Sequence, residues 1–159
     1  MARTYRVGII GRTGKGNYGH GLDVVWKGVQ RCRVVAVADD NKSALPGAMT
    51  RTGAKKASVD YREMLDSGLL DGVLVCSPHD LHYDHARAAL DRGLHVLLEK
   101  PITLDPDEGR ALVALADEKG LALVVAQNPP YWSHCRYLRD KIQQGALGEI
   151  EGAAIHWVG

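Results

Sequence analysis

Phenylalanine is missing from the chain, and cysteine occurs only three times, at Cys32, Cys76 and Cys135. The first absence excludes nothing. The second excludes more: the cysteines are far apart, odd in number and form no C-x-x-C pair, so neither a disulfide framework nor a zinc site is suggested. Reduced thiols of a cytoplasmic protein fit this usage best. No apolar run reaches the ~18–20 residues needed to cross a bilayer. The first twenty residues hold no long apolar region before a cleavage site, so no secretory signal is expected. Charge of one sign is also lacking. The formal net charge is +1 with no basic block, which argues against nucleic acid and anionic membrane as partners. No internal repeat and no low-complexity tract is visible.

What is present is the composition of an α/β protein, 45% hydrophobic and 25% charged over 159 residues. That length suits one domain, able to bury about 68–70% of the surface of its unfolded chain. The organising stretch runs from Val7 to His20. An apolar run, Val7 to Ile10, stops at Gly11, and Gly14, Gly16 and Gly19 follow with G-x-G-x-x-G spacing. A helical pattern then opens at Gly21 with Leu22, Val25, Trp26 and Val29. Strand, glycine loop and helix form the context in which this motif points to a dinucleotide. Glycine lets the backbone approach a ligand closely, and the free N–H groups at a helix start face a pyrophosphate with partial positive charge. The motif begins three residues after Gly11, so the loop is longer than the usual tight turn. Taken alone it is also compatible with a flexible strand-to-helix connection.

Strands and helices alternate along the rest of the chain. Strands are predicted at 5–11, 33–38, 57–59, 72–76, 95–98 and 121–126. Helices are predicted at 21–30, 43–51, 61–66, 81–92 and 131–144. A further helix carries the clearest signals: Asp105 as cap, Pro106 at the first position, Glu108 three residues after the cap, and Gly120 at the end. Continuous apolar strands such as 33–38 suit a parallel sheet covered on both faces. The pattern predicts a Rossmann-like, doubly wound parallel sheet. Asn128-Pro129-Pro130 breaks it. The expected division is a dinucleotide-binding domain over 1–127, then a connecting helix and strand (149–158) over 128–159. That strand would leave an unpaired, partly apolar edge that invites homo-oligomer formation.

Asp39 lies at the end of the second strand, twenty residues after Gly19. A carboxylate there can accept hydrogen bonds from the ribose hydroxyls of NAD and repels the 2′-phosphate of NADP. Asp40 is the weaker candidate, and the Asp39-Asp40-Asn41 run also reads as a set of turn formers. Ser77, Pro78 and His79 follow the fourth strand, where ligands of open α/β sheets sit. His79, His82 and His85 form an H-x-x-H-x-x-H run. Steps of three on a helix spread these side chains apart, and no acidic or cysteine ligand completes a metal set, so no metal site is predicted. Capping or solvated histidines are the simpler account. Glu99-Lys100-Pro101 ends the fifth strand. Lys100 can reach the same cleft, to hydrogen-bond a substrate hydroxyl or to transfer a proton. On spacing alone the simpler reading prevails, a surface ion-pair partner of little energetic weight at a strand end.

Val7-Gly-Ile-Ile-Gly11, Val35-Ala-Val-Ala-Asp39, Val75-Cys-Ser-Pro78 with His82 and the Ala88-Ala-Leu90 helix, and His95-Val-Leu-Leu-Glu99-Lys100-Pro101 together resemble the glucose-fructose oxidoreductase/inositol dehydrogenase (Gfo/Idh/MocA) family. Gln127 and Gly145-Ala-Leu-Gly148-Glu-Ile150 resemble it as well. The resemblance covers almost the whole chain, in the family's order, and Glu-Lys-Pro is its most specific part. It implies a dinucleotide-binding domain followed by the start of a truncated second α/β domain. The implied activity is hydride transfer between NAD or NADP, with NAD favoured, and a sugar, cyclitol or related polyol. Lys100 would be the catalytic lysine beside nicotinamide and substrate. Glu99 and Pro101 would shape the pocket, and Ser77, Pro78 and His82 would line the cofactor, alongside Gly11, Gly14, Gly16, Tyr18, Gly19, Asp39 and His79. The extra residues Arg12 to Gly16 depart from the family's glycine loop. The family's usual catalytic Asp and His would lie beyond Gly159, so the chain by itself is expected to bind dinucleotide without efficient turnover. Two other readings remain open: a non-catalytic dinucleotide sensor or interaction module, and a domain for another nucleotide-like ligand such as coenzyme A.

Overall fold

The computed structural model describes residues 2–16, 18–19 and 21–156. The chain divides into two compact units, Met1–Ala126 and Gln127–Gly159. In the first, six strands form one sheet: β1 (Tyr5–Gly11), β2 (Cys32–Asp39), β3 (Lys56–Ser58), β4 (Gly72–Cys76), β5 (His95–Leu98) and β6 (Leu123–Val125). Their order is β3-β2-β1-β4-β5-β6 and every pairing is parallel. This is the doubly wound arrangement, whose order reverses between β1 and β4. An irregularity between Val7 and Gly8 sets Val7 opposite Val34 and Gly8 opposite Ala36.

Successive strand residues go to opposite faces, and both faces are covered, as the apolar runs predict. Ile10, Ala38, Val75 and Leu98 belong to the core under α2 (Tyr61–Leu65), α3 (His82–Asp91) and α4 (Pro106–Lys119). Their neighbours Ile9, Val37 and Leu74 pack with Ala48 of α1 (Leu45–Thr52) and with Leu22 and Trp26 on the other face. Helix α4 begins and ends where its caps predict. The Asp105 carboxylate accepts from the N–H of Asp107 at 2.7 Å, and Gly120 closes the helix at φ +63°.

Two sequence expectations are corrected. The helix expected over 21–30 is a 3₁₀ helix, Leu22–Gly28. Its seven residues include adjacent β-branched valines and a terminal glycine, all weak α-helix formers, and short 3₁₀ segments are the usual outcome. The strand expected over 149–158 does not form over 149–156, and 157–158 lie outside the described residues. A strand needs a partner to take its N–H and C=O groups, and residues 149–156 carry no strand. The edge expected to promote self-association is therefore not present as a strand. The second unit is otherwise a 3₁₀ turn, Pro129–Tyr131, and α5, Ser133–Gln143. Among the described residues no helix is long and apolar enough to cross a membrane.

The base of the sheet is tied by Asp71, just before β4. Its carboxylate accepts from the Arg6 backbone N–H (2.8 Å), from Arg6 Nε and Nη2 (both 3.1 Å) and from Arg3 Nη2 (2.8 Å). These bonds, Arg6 foremost, outweigh burial and hold the carboxyl well below its ordinary range. Asp71→Ala is expected to cost about 2 kcal/mol at pH 7, the scale of a lost charge-assisted hydrogen bond. A carboxyl depressed by folding stabilises above its unfolded pKa. The gap between wild type and variant in urea titrations is therefore expected to close only in strong acid, and a gap unchanged there would refute the assignment.

Candidate functional site

Parallel register brings the strand ends together. Gly11 sits opposite Asp39 on one side and Cys76 on the other, and Val75 sits opposite Leu98. The segments after these residues meet beyond the carboxyl edge, at the point where the strand order reverses. Two clefts open there. The larger, about 290 Å³, is lined by Gly11, Arg12, Asp39, Asp40, Ser77 and His85 among others, with Tyr61 and Arg62 of α2. The smaller, about 50 Å³, is lined by Gly16, Gly19, Cys76, Ser77, His79, Glu99 and Lys100. Ser77 lines both.

The loop between them is built from left-handed residues. Gly14, Gly16, Gly19 and Gly21 have φ of +86°, +77°, +62° and +90°, conformations that cost glycine nothing. Gly19 also needs to lack a side chain, because a Cβ there would lie 2.6 Å from Glu99 Cγ and 3.2 Å from Cys76 Sγ. The helix that follows is a short 3₁₀ segment, so no α-helix dipole faces this loop.

Tyr18 adopts φ +61° without being glycine and is only 1% exposed. Its ring takes the space a Cβ on Gly11 would fill, with Cδ1 and Cε1 2.2 Å from that position. The Arg51 guanidinium lies 4.6 Å from the ring centroid, and Arg51 Nε pairs with buried Asp23 at 2.6 Å. The phenol donates to Asp39 Oδ2 at 2.7 Å. Burial, then the Asp39 carboxylate, push the phenol's pKa up, so it stays a donor.

Asp39 forms part of the cavity wall, but its carboxylate turns into the loop. Thr13 N–H (2.9 Å) and Thr13 Oγ1 (2.6 Å) also donate to Oδ2, and Asn41 N–H donates to Oδ1 at 2.9 Å. Burial alone would raise this carboxyl's pKa; the bonds from Thr13, Tyr18 and Asn41 outweigh it and hold the group below its ordinary value. Asp40, by contrast, has a side chain 52% exposed and pairs with Arg12 Nε at 2.9 Å.

The three histidines do not converge. His79 is exposed at the smaller cleft. His82 is fully buried, with Nδ1 2.7 Å from the Pro101 carbonyl and Nε2 3.0 Å from that of Ser77. It braces the segments carrying Ser77-Pro78 and Lys100-Pro101 rather than lining a cleft. His85 faces Ser77, with Nδ1 2.9 Å from Oγ, and its ring packs on Tyr61 at 4.2 Å. Burial lowers its pKa to about 4, so it is neutral at pH 7. Among the described residues no group of three metal-ligating side chains comes together. Cys76 stays a thiol because burial, then the Glu99 carboxylate, push its pKa up. Lys100 is exposed at the rim, and its backbone N–H donates to Glu99 Oε2 at 2.6 Å. Sequence reasoning did not single out Arg12, Tyr61, Arg62 or His85 as lining residues. Only His85 carried a signal, its place in the histidine run.

A reversed-order parallel sheet with a left-handed glycine loop over its carboxyl edge defines a dinucleotide-binding Rossmann domain. The Gfo/Idh/MocA profile, described as an oxidoreductase family with an NAD-binding Rossmann fold, matches residues 5–127. The chain belongs to that family, as the Glu99-Lys100-Pro101 resemblance implies. It is similar to a scyllo-inositol 2-dehydrogenase (NADP(+)) of Bacillus subtilis, 30% identical over 149 residues, which are 92% of this chain and 40% of that protein. It is also similar to an inositol 2-dehydrogenase of Rhizobium meliloti, 30% identical over 152 residues, 96% of this chain and 44% of that protein. An NAD binding oxidoreductase structure from Klebsiella pneumoniae superposes with a TM-score of 0.79 at 28% identity, covering 93% of this chain and 40% of the other. The chain thus spans about two fifths of the length of these relatives.

Proposed function

We propose that this chain is the cofactor-holding part of an NAD(P)-dependent dehydrogenase, with NAD favoured, acting on a hydroxyl of a cyclitol, sugar or related polyol. The observation that carries this is the meeting of the glycine loop, the Arg12–Asp40 wall and the Lys100 rim around two clefts joined at Ser77. The residues present fit the group: Gly16 and Gly19 let a phosphate approach the loop closely, a carboxylate–guanidinium wall stands beside the larger cleft for a ribose, and polar Ser77, Glu99 and Lys100 surround the smaller one. When bound, the nicotinamide supplies the hydride acceptor or donor. Lys100 is assigned to hold the substrate hydroxyl and pass its proton. Glu99 positions Lys100 through its backbone N–H, and His82 keeps the two segments in place. The names of the two inositol dehydrogenases support the substrate class.

Isothermal titration of the full chain with NADH and NADPH tests this. Saturable binding of at least one is expected. No heat from either at millimolar concentration would reject the reading.

A further inference from the structure

We infer that His85 is a positioning residue for the bound nucleotide: it takes the hydrogen of the Ser77 hydroxyl, so that Ser77 presents lone pairs, and not a proton, where the two clefts join. This rests on the dinucleotide reading above and adds the chemistry of one contact. The nucleotide group seated on Ser77 is a hydrogen-bond donor, a hydroxyl or an amide N–H.

Two histidines of α3 hold Ser77. They stand three residues apart and so share one side of the helix. His82 Nε2 lies 3.0 Å from the Ser77 carbonyl, and His85 Nδ1 lies 2.9 Å from its Oγ. The first contact fixes the backbone and the second the side chain. Ser77 and His85 are 5% and 8% exposed, and the His85 ring packs on Tyr61 with 4.2 Å between centroids. The pair is thus enclosed by protein yet reaches the cleft walls, Ser77 in both clefts and His85 in the larger.

The direction of their bond follows from charge. His85 senses Asp84 and His82 on its own helix, Arg62 on α2 and Asp40 just beyond β2, and burial exceeds all of them and keeps the ring neutral at pH 7. A neutral imidazole has one N–H and one bare nitrogen, and a hydroxyl has one hydrogen and two lone pairs. The hydrogen of a buried hydroxyl needs an acceptor, and the partner the structure gives Ser77 Oγ is His85 Nδ1. Nδ1 is then the bare nitrogen and Nε2 carries the proton, because the bond at one ring nitrogen sets the tautomer. The Oγ lone pairs are left for a donor arriving from the cleft. A protonated ring carries N–H on both nitrogens. In acid the bond therefore runs from Nδ1 to Oγ, and the Ser77 hydrogen turns toward the ligand, where it meets another donor.

Two measurements on the full chain test this. Nitrogen NMR of the histidine-labelled protein at pH 7 is expected to show His85 protonated at Nε2 and bare at Nδ1. Titration calorimetry then uses whichever of NAD and NADP wild type binds more tightly. His85→Leu, which removes the acceptor, is expected to weaken binding about tenfold, the scale of one hydrogen bond. His85→Asn, whose side-chain carbonyl can accept from Ser77, is expected to bring affinity back to within about threefold of wild type. In a Ser77→Ala background, His85→Leu should cost less than about twofold more, since the hydroxyl it acts through is gone. A proton on Nδ1, a folded His85→Leu chain that binds as wild type does, or losses that add in the double variant overturn the inference while the dinucleotide reading stands. Should His85→Leu fail to fold, the wild-type spectrum decides alone. Failure of wild type to bind either nucleotide removes that reading and this inference with it.

Discussion

Gly11→Ala is expected to destabilise the protein by about 3–4 kcal/mol, a drop of about 10 °C in Tm for a chain of this size. The reason is not backbone conformation but space. The new Cβ would lie 2.2 Å from two carbons of the Tyr18 ring and 2.6 Å from a third. That ring cannot give way cheaply, because its hydroxyl is bonded to Asp39 and its face is covered by Arg51. It would have to leave its site, exposing aromatic surface and stripping a donor from a buried carboxylate. A double-mutant cycle separates this from any other defect. In a Tyr18→Ala background, itself costing about 3–5 kcal/mol, Gly11→Ala should cost little more, since the colliding ring is gone. Strictly additive losses in thermal melts would show that the collision is not the cause.

The second large effect is in pH. Burial lowers the His85 pKa from 6.5 to about 4. The unfolded chain therefore takes up this proton before the folded one does, and the unfolded state binds more protons between those values. His85's contribution is fully present above about pH 6.5, declines as pH falls, and is gone below about pH 4, a loss of about 3 kcal/mol. Asp84 and Asp40 favour the charged ring, while His82 and Arg62 oppose it, and burial exceeds all of them. His85→Gln retains a polar partner for Ser77 but does not titrate. Urea titrations at pH 7 and pH 4.5 should show a smaller loss of stability in the variant than in wild type. Equal losses would mean that another group carries the acid sensitivity. Because His85 and Ser77 both line the larger cleft, nucleotide affinity is expected to weaken over the same pH range.

The elements most legible in the sequence were those with local causes. Strands β1, β4 and β5 begin and end where apolar runs meet glycine, cysteine-serine-proline or glutamate-lysine-proline. Helix α4 is bounded by Asp105 and Gly120, whose capping chemistry is independent of the rest of the fold. The 3₁₀ helix at Leu22–Gly28 was harder, because its apolar spacing satisfies the α-helical template while its β-branched and glycine content favours the tighter turn. The run over 149–156 has strand-like composition, but composition cannot supply the neighbour that a strand must bond.

By itself, then, the amino-acid order determined the alternation of strands and helices, hence a doubly wound sheet, and the meeting of the glycine loop, Ser77 and Lys100 at one edge. Parallel strands with crossover helices leave few other arrangements. Only the tertiary structure decided which way each polar side chain faces there: Asp39 inward to Thr13 and Tyr18, Asp40 outward with Arg12, His82 into the bracing position and His85 onto Ser77. Those choices depend on hydrogen-bonding and ionic partners that lie 5 to 28 residues away along the chain and come close only after folding. A buried carboxylate turns to whichever donors reach it, and no local pattern encodes which they are.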